Sequence, residues 1–334
     1  MSITSPLSRQ SSLSEAPDRA DPVVAVFGEA LIDLVHGAAD GALAYQGHVG
    51  GGPCNTAIGV ARLGVATAFV GRLGTDSFAQ AIRSHFAGSN VDLRLVVDSS
   101  DPTMMAVVSV NDSGNATYAF YLDGTADVGL TSTNLQALPA SVRVIHAGTL
   151  ALSLEPVGST IVGVLEKVRA QPNRPIIAID PNVRLLAIRD VAAYRERITS
   201  VVAMADVVKI SDADIESLWP DHDINTVAQR LVDSGPALLC VTRGGNGVTV
   251  FHKGKSFEIA AAPVAVVDTI GAGDTFNAAL IAWLVDHSRL SRDSIDNLTE
   301  GDVVDAASYA ARAAAITCGR AGANPPWAAE MILP

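Results

Sequence analysis

Short apolar runs rich in β-branched residues recur along the chain, and most are followed by a segment whose apolar positions have helical spacing. The strand-like runs are Val23 to Gly28, Ala66 to Val70, Val142 to His146, Ile176 to Asp180, Asp206 to Ile210 and Ala237 to Val241. The helical segments are Asn55 to Leu63, Ser77 to Ala87, Val157 to Ala170, Val191 to Ala203 and Thr226 to Ser234. Strands of this kind alternating with helices predict a mostly parallel sheet covered on both faces. Ligands on such sheets bind beyond the carboxyl ends of the strands.

Two regions break the rhythm. Gly41 to Gly50 and Thr103 to Leu122 read as alternating strands with turns. The second predicts a hairpin, Met105 to Val110 and Ala116 to Leu122, around Asn111-Asp112-Ser113-Gly114-Asn115. Inserted segments at about 36–50 and 102–125 therefore form a small sheet projecting from one main domain at 22–330. It reads either as a lid that excludes water or as a surface insertion without function. After Gly247, the runs Val248 to His252, Ser256 to Ala260 and Val264 to Asp268 predict an antiparallel sheet edge. The last helices are predicted at Asp274 to His287 and Asp302 to Thr317.

Composition narrows the function. The chain has 334 residues, 49% hydrophobic and only 5% aromatic, which suits one large α/β domain with an aliphatic core. A net charge of −12 argues against nucleic acid and anionic membranes as partners, since both need a basic face. Cys54, Cys240 and Cys318 lie far apart, without the spacing of a metal site or disulfide framework, so a reducing cytoplasm is the expected compartment. Residues 1–21 are rich in Ser and Pro with no apolar core; they read as a disordered tail, not a signal peptide.

The candidate chemistry centres on Asp268-Thr269-Ile270-Gly271-Ala272-Gly273-Asp274, where a glycine turn opens an Ala-rich helix. Free amides and the positive end of a helix dipole hold anions. A carboxylate beside that anion is a proton acceptor, a pairing that suits phosphoryl transfer to a hydroxyl. Alone, Asp274 reads equally well as a helix cap. Three other segments join it: the glycines at 50–52 before Asn55, the loop Gly28-Glu29-Ala30-Leu31-Ile32-Asp33, and the turn Thr242-Arg243-Gly244-Gly245-Asn246-Gly247. Each reads alone as an ordinary loop. Gly254-Lys255-Ser256 lacks the upstream glycine of a P-loop, and Phe276 stands where a dinucleotide fingerprint needs its last glycine.

From Val23 to about Pro326 the chain resembles the ribokinase (PfkB-type) carbohydrate kinases. The early glycine-rich signature lies at Gly51 to Gly64 and the late one at Asp268 to Asp274. Within that family it is most similar to fructokinases, through Gly28 to Asp33, Phe120 to Asp127, Asp180 to Arg184 and the ending Arg320 to Pro326. Some of these segments are shared with 2-keto-3-deoxygluconate kinases. The resemblance implies a three-layer α/β/α sandwich with a mostly parallel central sheet and a small β-sheet lid. It implies ATP-dependent phosphorylation of a sugar, foremost D-fructose to fructose 6-phosphate. 2-Keto-3-deoxygluconate or ribose is the alternative acceptor, and a non-catalytic sugar-binding regulator the alternative class.

The resemblance makes Asp274 the base, and the amides of Gly271, Ala272, Gly273 and Asp274 the anion hole. Asp33, Gly51, Gly52, Asn55, Tyr121, Asn182 and Arg184 are the implied sugar side. Lys209, Ser211, Thr242, Gly244, Gly247 and Gly273 are the implied nucleotide side. Mg²⁺ is expected to bridge phosphate oxygens, mostly through water, and some relatives bind K⁺ near the anion hole. Where ribokinases carry NxxE, this chain has Ser211-Asp212-Ala213-Asp214, so Asp214 is the candidate metal-organising carboxylate with a shorter reach. Cys54 replaces a residue that is often Ala or Gly in relatives. Exposed lid edges often recruit a partner strand, which points to a homodimer through the lid.

Overall fold

Burial alternates along the central strands between two separate cores. In β1 (Val24–Phe27), Val24 and Val26 pack into one apolar cluster and Ala25 and Phe27 into another. Successive side chains of a strand point to opposite faces, so this sheet is covered on both. The structure, a computed structural model, describes residues 20–37, 44–110 and 116–332. Most of the tail, residues 38–43 of the first inserted segment and the 111–115 turn lie outside the described residues.

After β1 come β2 (Leu31–Gly37), β3 (Ala44–Gly50), α1 (Gly52–Arg62), β4 (Thr67–Val70), β5 (Arg72–Leu73) and α2 (Ser77–Gly88). The chain continues through β6 (Val97–Asp98), β7 (Met105–Val110), β8 (Ala116–Tyr121), β9 (Val144–Gly148), α3 (Val157–Arg169), β10 (Ile176–Asp180) and α4 (Val191–Met204). It then forms β11 (Val207–Ser211), α5 (Asp212–Leu218), α6 (Ile224–Ser234), β12 (Leu238–Thr242), β13 (Val248–His252) and β14 (Lys255–Ile259). Helices α7 (Ala272–Asp286), α8 (Arg292–Asp296) and α9 (Glu300–Cys318) complete it.

The large sheet has the order β14-β13-β12-β11-β10-β9-β1-β4. It is parallel from β4 to β12, and β13 and β14 add an antiparallel edge. Helices α1, α7 and α9 cover the face that holds Val24; α3, α4 and α6 cover the other. This is the expected three-layer α/β/α arrangement. A second sheet, ordered β3-β2-β7-β8, stands apart from it. The carboxyl ends of β10, β11 and β12 bring Asp180, Ser211 and Thr242 to one edge of the large sheet, with Ser211 and Thr242 in register.

Two expectations fail. Leu31–Gly37 is strand β2, so the small sheet begins before residue 36 and Asp33 sits within it, not in a loop. Leu31, Ile32, Leu34 and Val35 supply the β-forming run that the lone carboxylate disguised. Val264 to Asp268 is not a strand. The amides of Val267 and Asp268 instead donate to the carbonyl of Cys318 at the end of α9, and Val264, Val266 and Val267 are exposed.

At the opposite edge of the sheet from the glycine turns, Asp206 precedes β11. It is fully buried and accepts two bonds from Arg174, at 2.6 and 2.7 Å, and one from the Ile177 amide at 2.9 Å. Removing one partner of a buried pair strands the other charge. Asp206→Ala is expected to cost about 3 kcal/mol in denaturant unfolding, with catalytic constants near wild type at a temperature where the variant is folded.

Candidate active site

Helix α7 is apolar on all sides and buried from Asp274 through Leu284, because α1 and α9 enclose it. Its contact with α1 is close. A Cβ on Gly59 would lie 2.7 Å from the Ala278 Cβ, so only glycine lets the two backbones approach this far. One helical turn earlier on each helix stand Asn55 and Asp274. The Asn55 amide nitrogen donates to Asp274 Oδ2 at 2.9 Å, and Asn182 Nδ2 donates to Oδ1 at 3.3 Å. Asp274 is 8% exposed. Burial pushes its carboxyl above the ordinary value; the Asn55 bond, Lys209 and Arg184 pull it down again, and Asp214 adds to the rise.

The start of α7 holds a set of open donors. Among the described residues, no hydrogen bond engages the amides of Gly271, Gly273 or Asp274, whereas the Ala272 amide donates to the Thr269 carbonyl at 3.2 Å. Three of the four expected anion-hole donors are therefore unspent. Asp268 shapes the turn, accepting from the Ile270 amide at 3.0 Å and the Gly322 amide at 2.8 Å. Gly271 has φ +74, and a Cβ there would lie 2.6 Å from the Ala323 Cβ. The Arg320 to Pro326 segment thus packs directly against the turn.

A cation completes this corner. Lys209 on β11 is 3% exposed, and its ammonium lies 3.1 Å from Asp180. Burial opposes its charge, but Asp180, Asp214 and Asp274 outweigh that and raise its pKa. A Cβ on Gly273 would lie 2.8 Å from Lys209 Nζ, so the ammonium rests against the first turn of α7. Free amides, a helix dipole and a buried cation together make a strong anion site.

Beside it, Asn55 and Asn182 bond Asp274, Gly52 packs next to it, Asp33 and Arg184 feel its charge, and Gly51 lies against Glu29 and Ala30. A side chain on Gly50 would collide with the Asp33 carboxylate. Burial is the main cause that raises Asp33 to about 6; Arg184 and His48 lower it, and Asp274 raises it. Gly51 has φ +102, and a Cβ there would lie 2.8 Å from the Glu29 carbonyl. At Gly52 a Cβ would strike Thr149 and come within 3.0 Å of Asn182 Nδ2 and 3.3 Å of Asp274 Oδ1. Asn182 has φ +40, and its Oδ1 accepts from Arg184 Nη1 at 2.7 Å.

Tyr121 does not join this group. It pairs with Met105, which pairs with Ile32, so it shares their face of the small sheet. Asp33 belongs to the other face, with Ala106 and Phe120. Tyr121 is 58% exposed, and Phe120 packs towards Leu31, Ala106 and Leu150. A strand's period of two makes an error of one residue an error of face.

Among the residues expected to face a nucleotide, Ser211 and Thr242 stand next to each other, and the turn after β12 carries Gly244 at φ +50 and Gly247 at φ +86. A side chain on Gly247 would collide with the Ile259 carbonyl, whereas Gly244 faces open space. Asp214 accepts from the Val183 amide at 2.8 Å and the Ser211 amide at 3.0 Å. It thereby ties the loop bearing Asn182 to the end of β11. Among the described residues, no three His, Cys, Asp or Glu side chains converge to hold a metal ion.

Two buried residues at the site escaped the sequence reading. Glu29 lay within a noted motif but carried no expected role, and its carboxylate accepts from the Thr149 hydroxyl and the Ala151 amide. Thr149 has φ +57, which no sequence signal announces.

The sequence pattern of the pfkB family carbohydrate kinases matches residues 22–330. A fructokinase of Rhizobium leguminosarum bv. trifolii is 33% identical over 276 residues, covering 82% of this chain and 83% of that protein. The crystal structure of a Xylella fastidiosa fructokinase with bound ATP aligns with a TM-score of 0.83 at 26% identity, covering 92% of this chain and 96% of the other. A Vibrio cholerae O395 fructokinase double mutant, in a form with fructose, ADP and potassium ion bound, aligns at 0.77 with 24% identity over 91% of this chain and 95% of the other, and shows the likeness of fold alone. This chain belongs to the pfkB family of carbohydrate kinases, and it is a sugar kinase with the family's ribokinase-like fold.

The helix contact at Gly59 sets the distance between Asn55 and Asp274. Gly59→Val forces α1 away from α7 and is expected to destabilise the fold by about 1–3 kcal/mol. Steady-state kinetics on the folded fraction should show kcat falling about tenfold or more, the scale of a misplaced catalytic group.

Proposed function

We propose that the chain transfers the γ-phosphoryl group of ATP to the primary hydroxyl of D-fructose, giving fructose 6-phosphate and ADP. One observation carries this reading: an aspartate held by Asn55 and Asn182 stands beside three unspent amides and a buried lysine. In the proposed step the acceptor hydroxyl gives its proton to Asp274 as its oxygen bonds to phosphorus, and the bond to the ADP oxygen breaks in line. The amides of Gly271, Gly273 and Asp274 and the Lys209 ammonium hold the charge on the migrating group. Asp33 accepts sugar hydroxyl hydrogens, and Asn55 and Asn182 orient Asp274. Ser211, Thr242, Gly244 and Gly247 line the nucleotide side.

Mg²⁺ supplies charge neutralisation on the phosphates when bound. The side chains fit an ion that takes its ligands from phosphate and water, since both Asp214 oxygens hold backbone amides and Lys209 holds Asp180. Asp214 would act on it at most through water. K⁺ is a further proposed ligand, on the family resemblance of the glycine turn at Asp268 to Asp274. Among the described residues no helix is long and apolar enough to cross a membrane. A cytoplasmic location and a dimer through the small sheet complete the proposal; Tyr45 and Tyr118 are exposed on that sheet.

The exposed Arg184 supports one second reading, a sugar acid such as 2-keto-3-deoxygluconate whose carboxylate the guanidinium would take bidentately. Relative kcat/KM across ketoses, aldoses and sugar acids with ATP and Mg²⁺ separates the two. Fructose is expected to lead, and a sugar acid ahead of it would overturn the assignment. Asp274→Ala should lower kcat by about 10³-fold, within the range for a general base, while calorimetric ATP affinity survives. Near-normal turnover by that variant would remove the base. Both Asp274 and Asp33 are shifted upward and must be ionised to accept protons. kcat/KM for the sugar should therefore fall as pH drops through a range above that of an ordinary carboxylate, about 6 for Asp33 and raised in the same direction for Asp274.

A further inference from the structure

The Thr149 side chain beside Gly52 is bonded by a carboxylate that touches neither sugar nor nucleotide in the reading above. Gly28 to Asp33 is pinned from three directions. Gly28, at φ +151, packs on Pro53 at the start of α1, where a side chain would collide. The Ala30 amide donates to Asp127 Oδ1 at 2.9 Å, across from β8. Between them the Glu29 carboxylate, 1% exposed, accepts from the Thr149 hydroxyl and from the Ala151 amide at 3.0 Å.

Thr149 opens the short 3-10 turn Thr149–Leu152 after β9, and all four residues of that turn are buried. Its φ of +57 is a left-handed conformation that β-branched residues avoid. Such a conformation persists only where the surroundings hold it, and it concentrates at functional sites. The Thr149 methyl faces Gly52, at the spot where a Cβ would also approach Asn182 and Asp274.

We propose that Glu29 is a positioning residue for the acceptor site: it holds Thr149 in its strained conformation against Gly52 and so sets the pocket wall beside Asp274. The inference rests on the assignment of that pocket as the sugar site. The chemistry explains why a carboxylate stands here. Two donors, a hydroxyl and an amide, meet two acceptor oxygens. A glutamine offers one acceptor, and its NH₂ would face a donor; a buried polar group left unpaired is costly.

The test compares sugar and ATP kinetics of the whole chain carrying Glu29→Gln, Thr149→Ser or both. Glu29→Gln should raise the sugar KM about tenfold, the scale of one buried hydrogen bond lost. Its kcat and ATP KM should stay within about threefold, because ground-state positioning of the sugar is what changes. Thr149→Ser keeps the hydroxyl bond and removes only the methyl against Gly52; it should raise the sugar KM about threefold. The double variant should fall short of the product of the two effects, since both act on one wall. A sugar KM within twofold of wild type in Glu29→Gln, or sugar and ATP KM rising together, would overturn the proposal. If Glu29→Gln does not fold, Thr149→Ser decides alone, and an unchanged sugar KM overturns it. Failure of the wild type to phosphorylate any sugar would instead strike the kinase reading itself, and leaves a distinct result.

Discussion

The close approach of α1 and α7 at Gly59 and Ala278 is the constraint on which the site depends. It packs the start of α7 against α1, burying the helix from Asp274 onward while Gly271 to Gly273 stay partly open, so the opening amides remain available to an anion. It also fixes Asn55 against Asp274, because each stands one turn before the contact. A larger residue at Gly59 would loosen both arrangements together. The arrangement around Asp274 thus follows from backbone packing, with the side chains filling positions that the packing defines.

At Asp33, Asp180 and Asp274 burial and neighbouring carboxylates raise the carboxyl, and nearby cations oppose them. Asp33, Asp180, Asp214 and Asp274 crowd one region, and the cations set among them are Lys209, which is buried, and Arg184, which is exposed. Desolvation raises Asp274, while the Asn55 bond and the two cations pull it down again. In the proposed reaction phosphate would add negative charge to the same corner, which the free amides of Gly271 and Gly273 together with Mg²⁺ would offset. An acidic protein can therefore accept a polyanion.

Much of this was readable from residues in order. Continuous apolar strands between helices announced a doubly covered parallel sheet, and the glycine turn opening an Ala-rich helix placed Asp274 at a helix start. Both signals are local, so they survive without coordinates. The misses depend on partners distant in sequence. Leu31–Gly37 is a strand because β3 and β7 flank it, and Val264 to Asp268 is not one because Cys318 takes its amides. Tyr121 and Phe120 differ by one residue and hence by one face of the sheet, a parity fixed only by register with Met105 and Ala106. Thr149 has no sequence signature at all, and the carboxylate that accepts from its hydroxyl, Glu29, lies 120 residues away.

The central claim is spatial: the carboxylate of Asp274 faces the acceptor hydroxyl while the amides of Gly271 and Gly273 face the migrating phosphoryl group. The direct measurement is a crystal structure with fructose and a nonhydrolysable ATP analogue. It should show one sugar hydroxyl within roughly 2.6–3.2 Å of an Asp274 oxygen, and terminal phosphate oxygens on those amides. A sugar bound with no hydroxyl near Asp274, or a nucleotide whose terminal phosphate lies away from the start of α7, would contradict the account.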